Sequence, residues 1–316
     1  MKTKNKISDK VSLFLLRAFI AIRYLHIAKR NSLSEIYSRY KGNCRKASQM
    51  TTYERAYYCS SVPEVVRSYV YDNLVKKKTV INDCFSNVKL AIHPNNEMSR
   101  ISYVTKTYEE ETMNFLKKEL GQNDVVLDIG ANNGYYSLLC ATIAKKVIAF
   151  EPSPRDFFRL KENKELNKFD NLVIENFGLS DNEKKLEMLI ANDYHSGQNT
   201  LESKFVYDIS LKEKITIDLK PLDSYIRKSN INKIDVIKID VDGHEMNVLR
   251  GAEFVFNKMK PRAVIFEIVT EWPEKKVDIE KFFTNLGYEI FAIDYDGKLN
   301  RVQTYSSGNL VAYKKS

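Results

Sequence analysis

Cysteine is scarce in this sequence of 316 residues, and its spacing excludes two kinds of small-domain architecture. The four cysteines are Cys44, Cys59, Cys84 and Cys140, with no C-x-x-C pair and no histidine close by. Zinc sites and disulfide scaffolds both require closely and regularly spaced cysteines, so neither is predicted. Scattered cysteines are typical of a reducing compartment, which predicts a cytoplasmic protein.

The sequence also lacks an uninterrupted apolar run long enough to cross a membrane. The nearest candidate, VSLFLLRAFIAIRYLHIA at residues 11–28, contains Arg17 and Arg23. Charges inside the apolar stretch argue against both a spanning helix and a signal peptide. The two arginines lie about 120° apart on a helical wheel and form no single polar stripe. A helix docked on the protein or on a partner is therefore favoured over an interfacial membrane anchor.

Acidic residues are few in the first quarter of the chain. Residues 1–86 contain 17 lysines and arginines against 6 aspartates and glutamates, a balance of +11, whereas residues 87–316 carry the remaining 33 and 35, a balance of −2. We therefore predict a basic, mainly helical N-terminal extension at 1–86 and a second domain at 87–316. The asymmetry indicates contact with an anionic surface such as a membrane, which would make the protein peripheral, a nucleic acid or a phosphorylated carrier. A solvated lysine-rich face is the alternative.

From residue 125 onward, apolar runs typical of buried strands alternate with helical segments. This alternation predicts an α/β fold with a mostly parallel, seven-stranded sheet covered by helices on both faces. Before this alternating part of the chain, two strands are predicted at NVKLAIHP and RISYVTKTY. Within it, an extra hairpin is predicted from LEMLIAND and KITIDLK. Ligands bind such sheets at the carboxyl ends of the strands, which here are Asp128, Glu151, Gly178 and Asp240.

The segment VVLDIGANNGYYS predicts a strand, a tight loop and a helix start, but it lacks the residues of common phosphate-binding loops. A Walker loop needs a lysine followed by serine or threonine, and a dinucleotide fingerprint needs a third glycine. Asp128 at the mouth of the loop would repel a pyrophosphate but could accept the ammonium of S-adenosylmethionine (SAM), which also carries a cationic sulfonium. Glu151 could accept both ribose hydroxyls, and Asn132 suits a left-handed backbone. A strand–turn–helix without a ligand is the alternative.

Several segments resemble the FkbM family of SAM-dependent methyltransferases: VVLDIGANNGYYS, AFEPSPRDFFRLKENKELN, and VIKIDVDGHEMNVLRGAE followed by PRAVIFE. The resemblance spans residues 87–315 and departs at Asp242, where the family more often has glutamate. It implies a Rossmann-like class I methyltransferase fold and O-methylation of a hydroxyl on a sugar, glycan, lipid-linked glycan or natural product. It further implies cofactor contacts at Asp128, Gly130, Ala131, Asn132, Gly134, Glu151 and Pro152, and adenine contacts near Asn176, Gly178 and Leu179.

The fourth predicted strand of the sheet, IDVIKIDVDGHE, carries most of the candidate catalytic residues. Taking the proton from an acceptor hydroxyl requires a base or a cation. Asp240 at the strand tip is the first candidate, and His244 is a further candidate base. Lys238 inside the strand needs a partner, and Glu267 on the neighbouring strand is predicted to pair with it, which makes both candidates as well. Asp240 and Glu267 together could hold Mg²⁺.

Two nearby features have structural interpretations. Asp242 and Glu245 have the spacing of a capping box, so helix capping is favoured over catalysis for both. The loop DYHSGQNTL is either a lid over the pocket or an ordinary hairpin loop. Its polar residues include His195, Gln198, Asn199 and Thr200.

Two other functions remain open at this point. The basic extension is compatible with a nucleic-acid methyltransferase, but the fourth strand tip reads DVDG rather than the Asn/Asp-Pro-Pro-aromatic motif typical of enzymes that methylate base amino groups. A SAM-binding scaffold without activity is the second alternative. The presence of Asp240, Lys238 and Glu267 argues against the scaffold.

Overall fold

The computed structural model describes residues 78–81, 85–94, 96, 98–99, 102–103, 108–193, 196–201, 211–268, 273–301 and 308–314. These residues all belong to one unit of the chain, Val75–Ser316. Most of the predicted extension lies outside them, including the apolar segment at 11–28 and three of the four cysteines. Among the helices that are described, none has both the length and the apolar character needed to cross a membrane.

Strands and helices alternate along the described residues, as the sequence predicts. The strands are β1 (Thr79–Ile81), β2 (Leu90–Ile92), β3 (Val125–Ile129), β4 (Lys146–Phe150), β5 (Leu172–Glu175), β6 (Gly178–Leu179), β7 (Lys184–Ala191), β8 (Leu211–Lys220), β9 (Val236–Ile239), β10 (Ala263–Ile268), β11 (Glu289–Ile293), β12 (Leu299–Arg301) and β13 (Gly308–Tyr313). The helices are α1 (Glu110–Glu119), α2 (Tyr135–Ala141), α3 (Pro154–Asn167), α4 (Leu222–Lys228), α5 (Glu245–Arg250) and α6 (Pro273–Asn285), with a π-helical turn at Val255–Met259.

An eight-stranded sheet forms the centre of the fold, in the order β12-β11-β13-β10-β9-β3-β4-β5. Strands β5, β4, β3, β9 and β10 run parallel, and β13 inserts antiparallel between β10 and β11. Strands β3 and β9 are buried along their whole length, because helices cover both faces. The predicted Rossmann-like α/β fold is confirmed. The sheet has one strand more than predicted, since a short turn at Asp294–Lys298 folds β12 back onto β11.

Two smaller sheets flank the central one. The predicted hairpin is confirmed as β7 paired antiparallel with β8, with β6 on the other side of β8. The predicted strand RISYVTKTY is wrong for its described residues, because Ser102 and Tyr103 are helical. The strand that pairs with β2 is β1, which precedes it in the chain. The preceding turn explains the helical start: Asn96 Oδ1 accepts the N–H of Ser99 at 2.8 Å, a side-chain bond that competes with strand pairing.

The region around the predicted domain boundary is tied to the body of the fold. Strand β1 lies before residue 87 yet pairs with β2 after it, and Lys78 forms an ion pair with Glu162 on α3. The boundary at residues 86 and 87 stays a prediction.

The start of α3 positions the tip of β4. Ser153 caps the helix, with its hydroxyl accepting the N–H of Asp156 at 3.3 Å, and Pro154 occupies the first helical position. The backbone N–H of Ser153 donates to Glu151 Oε1 at 2.7 Å. The helix cap therefore also holds the carboxylate at the strand tip.

Candidate active site

A cleft opens at the carboxyl ends of β3, β4 and β9, where ligands bind in sheets of this type. About 860 Å³ of space lies within it, including solvent at its open mouth. Most of the predicted cofactor residues line it: Gly130, Ala131, Asn132, Glu151, Pro152, Gly178 and Leu179. Asp128 and Gly134 do not line it, although they flank the same loop. Asn176 lies behind the wall, where its side chain donates to the carbonyl of Glu151 at 2.8 Å.

The loop after β3 is held against two neighbouring strand tips. The N–H groups of Gly130 and Ala131 both donate to the carbonyl of Phe150 at 3.0 Å. Gly130 has φ +81°, and a Cβ there would lie 1.8 Å from the carbonyl oxygen of Asp240. Asn132 adopts the predicted left-handed conformation, with φ +51°. Glycine at position 130 thus allows the cofactor loop to touch the backbone of β9's tip.

Glu151 is the buried carboxylate on the cofactor side of the cleft. Its Oε2 accepts the N–H of Asn132 at 2.7 Å and its Oε1 accepts the N–H of Ser153 at the same distance. Burial, followed by the charge of Asp156, raises the pKa of Glu151 to about 8. Each carboxylate oxygen has a second lone pair. Glu151 can therefore still accept two hydroxyl donors from the cleft.

Asp128 lies beneath the cleft and not on its wall. Its side chain is 1% exposed, and Oδ2 accepts the hydroxyl of Ser137 at 2.5 Å. Burial raises the pKa of Asp128, and the ammonium of Lys238 opposes this rise. A direct contact between Asp128 and the cofactor's ammonium stays a prediction.

Lys238 is buried in β9 and lines the cleft, but its partner differs from the predicted one. Lys238 Nζ bonds Asp240 Oδ2 at 2.8 Å, and the predicted pair with Glu267 is wrong. Residues two apart on a strand share a face, which brings Lys238 and Asp240 together. The ammonium also lies 4.4 Å from the ring centre of Tyr136. Burial alone would lower the pKa of Lys238. The charges of nearby carboxylates, of which Asp240 has the largest effect, raise this pKa above its usual value.

Three carboxylates meet at the tips of β9 and β10, and we call Asp240, Asp242 and Glu267 the acid group. One oxygen from each lies within 4.8 Å of the others. The ladder pairs Phe266 with Ile239, which places Glu267 one step further along, beside Asp240. Burial, then the charge of Asp240, raises the pKa of both Asp242 and Glu267 well above their usual values. The acid group could hold a cation or accept hydroxyl groups.

The capping role predicted for Asp242 is wrong. Asp242 and Gly243 have φ of +44° and +97°, so the chain turns first and α5 begins at Glu245 with His244 as its N-cap residue. The predicted capping-box position of Glu245 is wrong too, because Glu245 is the first residue of α5; its carboxylate accepts the N–H of Gly243 at 3.0 Å. The turn leaves the Asp242 side chain in the acid group.

His244 lines the cleft but is engaged away from the acid group. Its Nε2 lies 2.9 Å from Ser180 Oγ, just after β6. Ser180 Oγ in turn donates to Asp181 Oδ1 at 2.9 Å. Its role as a base stays a prediction.

The ring of Tyr136 lies over Lys238, and Glu109 and Asn309 join Tyr136 in a hydrogen-bonded group that no sequence pattern indicates. The hydroxyl of Tyr136 donates to Glu109, and Asn309 Nδ2 donates to Glu109 Oε2 at 2.6 Å. Burial, then the charge of Asp240, raises the pKa of Glu109. These residues come from the start of α1, from α2 and from β13, so no local pattern connects them.

Residues 196–201, the described central part of the connection between β7 and β8, are tethered at the cleft. Asn199 and Gly197 line the cleft, whereas Gln198 is exposed and His195 lies outside the described residues. Asn199 Nδ2 donates to Asp156 Oδ2 at 2.7 Å, and Thr200 Oγ1 donates to the carbonyl of Asp242 at 2.8 Å. Asn132 Nδ2 also donates to the carbonyl of Ser196 at 2.9 Å. The loop thus bonds both to the cofactor loop and to the acid group's backbone; its role as a lid stays a prediction.

A comparison with protein families shows which family the chain belongs to. The profile of the FkbM methyltransferase domain matches residues 128–290, more than half of the chain. The hexuronic acid methyltransferase AglP of Haloferax volcanii is 31% identical over 144 residues, covering 45% of this chain and 56% of AglP. The 2-O-methyltransferase NoeI of Sinorhizobium fredii is 25% identical over 155 residues, covering 43% of this chain and 60% of NoeI. The chain therefore matches little more than half the length of these relatives.

Among solved structures, the methyltransferase FkbM from Methylobacillus flagellatus KT has a TM-score of 0.43 to this chain. The two are 14% identical, and the alignment covers 81% of this chain and 60% of that one.

Proposed function

The chain belongs to the FkbM methyltransferase family, and on that premise we propose that it is a SAM-dependent O-methyltransferase. The proposed acceptor is a hydroxyl group of a sugar, a glycan, a lipid-linked glycan or a natural product. One observation carries the proposal: a single cleft joins most of the predicted cofactor residues to Lys238 and Asp240.

The residues of the cofactor side fit SAM. Glu151 offers two oxygens that can accept the ribose hydroxyls, and Gly178 and Leu179 offer an apolar wall for adenine. A Cβ at Gly178 would lie 2.6 Å from the side chain of Leu219, another residue of the wall, so glycine keeps this part of the cleft open. The site also carries no lysine–serine pair for phosphates. These features favour a nucleoside cofactor without phosphate.

Asp240 is the proposed base. When bound, SAM supplies an electrophilic methyl group, whose bond to sulfur breaks as the acceptor oxygen attacks. Asp240 takes the proton of that hydroxyl through the carboxylate oxygen that Lys238 does not hold. Lys238 stays charged and keeps the carboxylate oriented, because nearby carboxylates raise the pKa of its ammonium.

The acceptor class rests on the relatives. AglP is named as a methyltransferase of hexuronic acid and NoeI as a 2-O-methyltransferase. Both names describe modification of hydroxyl-bearing molecules or positions, which supports a sugar hydroxyl as the acceptor of this chain. The acid side suits such an acceptor, since carboxylates accept hydrogen bonds from hydroxyl groups.

A divalent cation is a second candidate occupant of the acid group. The structure adds Asp242 to the predicted ligands Asp240 and Glu267, and three carboxylates suit Mg²⁺. A cation there would stabilise the acceptor alkoxide and reduce the need for a base. Methyl transfer that stops with EDTA and returns with Mg²⁺ supports this variant, and unchanged transfer in EDTA contradicts it.

The basic extension is the proposed docking segment for an anionic surface, either a membrane or a phosphorylated carrier of the acceptor. Its excess of positive charge supports the proposal. Such docking would place a cytoplasmic enzyme beside a lipid-linked or carrier-bound acceptor.

Transfer of labelled methyl groups tests the function. The protein is incubated with methyl-labelled SAM and, in parallel, with sugars, glycans, lipid extracts and RNA, and the Asp240→Asn variant is the control. We expect label in an acid- and base-stable ether on a hydroxylated acceptor. Label in RNA would favour the nucleic-acid alternative, and SAM binding without any transfer would favour the scaffold.

A further inference from the structure

We infer that Asp128 is a positioning residue that holds Lys238 from beneath the cleft, and not a contact of the cofactor. The inference rests on the proposed function, because Lys238 in turn orients the proposed base Asp240. Asp128, the acidic residue before the cofactor loop, thus has a role other than the cofactor contact that the sequence predicts.

The strand register places the two side chains side by side. Asp128 and Lys238 are direct partners in the parallel ladder of β3 and β9. Partners in such a ladder point to the same face, about 4.8 Å apart along the hydrogen-bonding direction. Helix α2 packs on that face: Ser137 bonds Asp128 at 2.5 Å, and the ring of Tyr136 lies over the ammonium of Lys238 at 4.4 Å. Both charged groups therefore lie under the first turn of one helix.

Burial makes the pairing necessary. Asp128 is 1% exposed and Lys238 is 4% exposed, and an isolated buried charge is strongly unfavourable. Asp128 Oδ1 has no hydrogen-bond partner within the part of the chain that the structure describes, and the charge of Lys238 is the strongest influence that favours the ionised carboxylate. The effect is mutual: after burial, Lys238 is the strongest influence on the pKa of Asp128, and Asp128 follows Asp240 among the groups that raise the pKa of Lys238.

The position of Asp128 argues against contact with the cofactor. Gly130, Ala131 and Asn132 line the cleft, whereas Asp128 does not. Its Oδ2 is directed to α2 through Ser137. A carboxylate in this place links the sheet to the helix and steadies Lys238 between them.

A double-mutant cycle on thermal stability tests the pairing without any turnover. Asp128→Asn keeps the shape and the bond from Ser137 but removes the charge. We expect it to lower Tm in the wild-type protein, because Lys238 loses a partner. In a Lys238→Met background we expect Asp128→Asn to leave Tm unchanged or raise it, because Asp128 there is a carboxylate without its cation. An equal fall in Tm in both backgrounds would overturn the inference.

Binding and kinetics separate positioning from cofactor contact. Calorimetry of Asp128→Asn should give a Kd for SAM within about threefold of wild type, since no contact is lost. A loss as large as that of Glu151→Gln, the matched change on the cofactor side, would overturn the inference.

The kinetics of Asp128→Asn test the positioning role. Its kcat should fall about tenfold or more at unchanged KM for SAM, which is the scale on which outer partners of a site act. An unchanged kcat would contradict the positioning role. If the wild type transfers no methyl group, the proposed function fails, while the stability cycle and the Kd still decide whether Asp128 holds Lys238.

Discussion

The two sides of the cleft are built in different ways. The cofactor side, at the tips of β3 and β4, relies on backbone N–H groups and the single carboxylate of Glu151. The acid side, at the tips of β9 and β10, concentrates Lys238 and the acid group, with Glu109 and Asn309 behind them. The first is assembled from a short continuous stretch, whereas the second needs segments far apart in the chain. The difference shows that a neutral backbone cradle can be specified locally, but a buried charge cluster depends on the whole fold.

The two sides meet through the main chain, where Gly130 packs against the carbonyl of Asp240 and the N–H of Asp240 donates to the carbonyl of Ile129 at 3.0 Å. The cofactor loop and the proposed base are thus fixed relative to each other by the main chain. Substitutions on either side, or at the contact, should separate their contributions.

The largest effect is expected on the acid side. Asp240→Asn should lower kcat for methyl transfer by about 10²–10⁴-fold, the usual contribution of a general base, with the Kd for SAM unchanged. Asp296→Asn, an exposed aspartate, is the matched control and should behave as wild type. Full activity of Asp240→Asn would remove this residue from the mechanism.

At the contact between the sides, Gly130→Ala should reduce the free energy of unfolding by about 3 kcal/mol or more. Alanine would strain the left-handed backbone at this position, and its Cβ would also clash with a neighbouring carbonyl. The new Cβ would lie 1.8 Å from the carbonyl oxygen of Asp240. Gly287→Ala is the matched control, with a similar φ of +79° and no atom within 4 Å of the new Cβ. It should lose only about 1–2 kcal/mol. Urea unfolding measures both, and equal losses would show that the contact does not hold the two sides together.

On the cofactor side, Glu151→Gln should weaken SAM binding about 10–100-fold when affinity is measured above about pH 8, where Glu151 is ionised, because hydrogen bonds to a charged group contribute about 1.5–3 kcal/mol. The kcat at saturating SAM should change far less than in Asp240→Asn. Calorimetry measures the affinity, with the exposed Glu253→Gln as control. Unchanged affinity would show that Glu151 is not part of the cofactor side.

The last test of the cofactor side is the pH dependence of stability, which needs no ligand. The pKa of Glu151 is raised from 4.5 to about 8 in the fold, so the folded state binds a proton that the unfolded state has released. The contribution of this group to stability is complete below about pH 4.5 and is lost as pH rises through about 8. The Tm of the wild type relative to Glu151→Gln should therefore fall between pH 5 and pH 8 and level off above. A constant difference would contradict the raised pKa.

Local patterns predicted the cofactor side well and the acid side only in part. The loop from Gly130 to Asn132 and the acid Glu151 lie in one strand–loop–helix–strand segment, where each residue's place follows from its neighbours. Residues two apart on a strand share a face, so the sequence spacing favours Asp240 as the partner of Lys238. The predicted partner across the strands, Glu267, is wrong for this reason. The capping role of Asp242 failed because two left-handed residues turn the chain before α5 begins.

The sequence by itself determined the parallel sheet and the loop after β3, because hydrophobic periodicity and loop chemistry act over short distances. The predicted strand tip Gly178 is wrong, because β5 ends at Glu175 and Gly178 begins β6 in a different sheet. Only the tertiary structure decided that Asp242 joins the acid group, that Asp128 lies beside Lys238, and that Asn309 bonds Glu109. The physical reason is that a buried charge is stabilised by whichever partners the packed chain brings within reach, and strand register and crossovers, not sequence spacing, determine those partners.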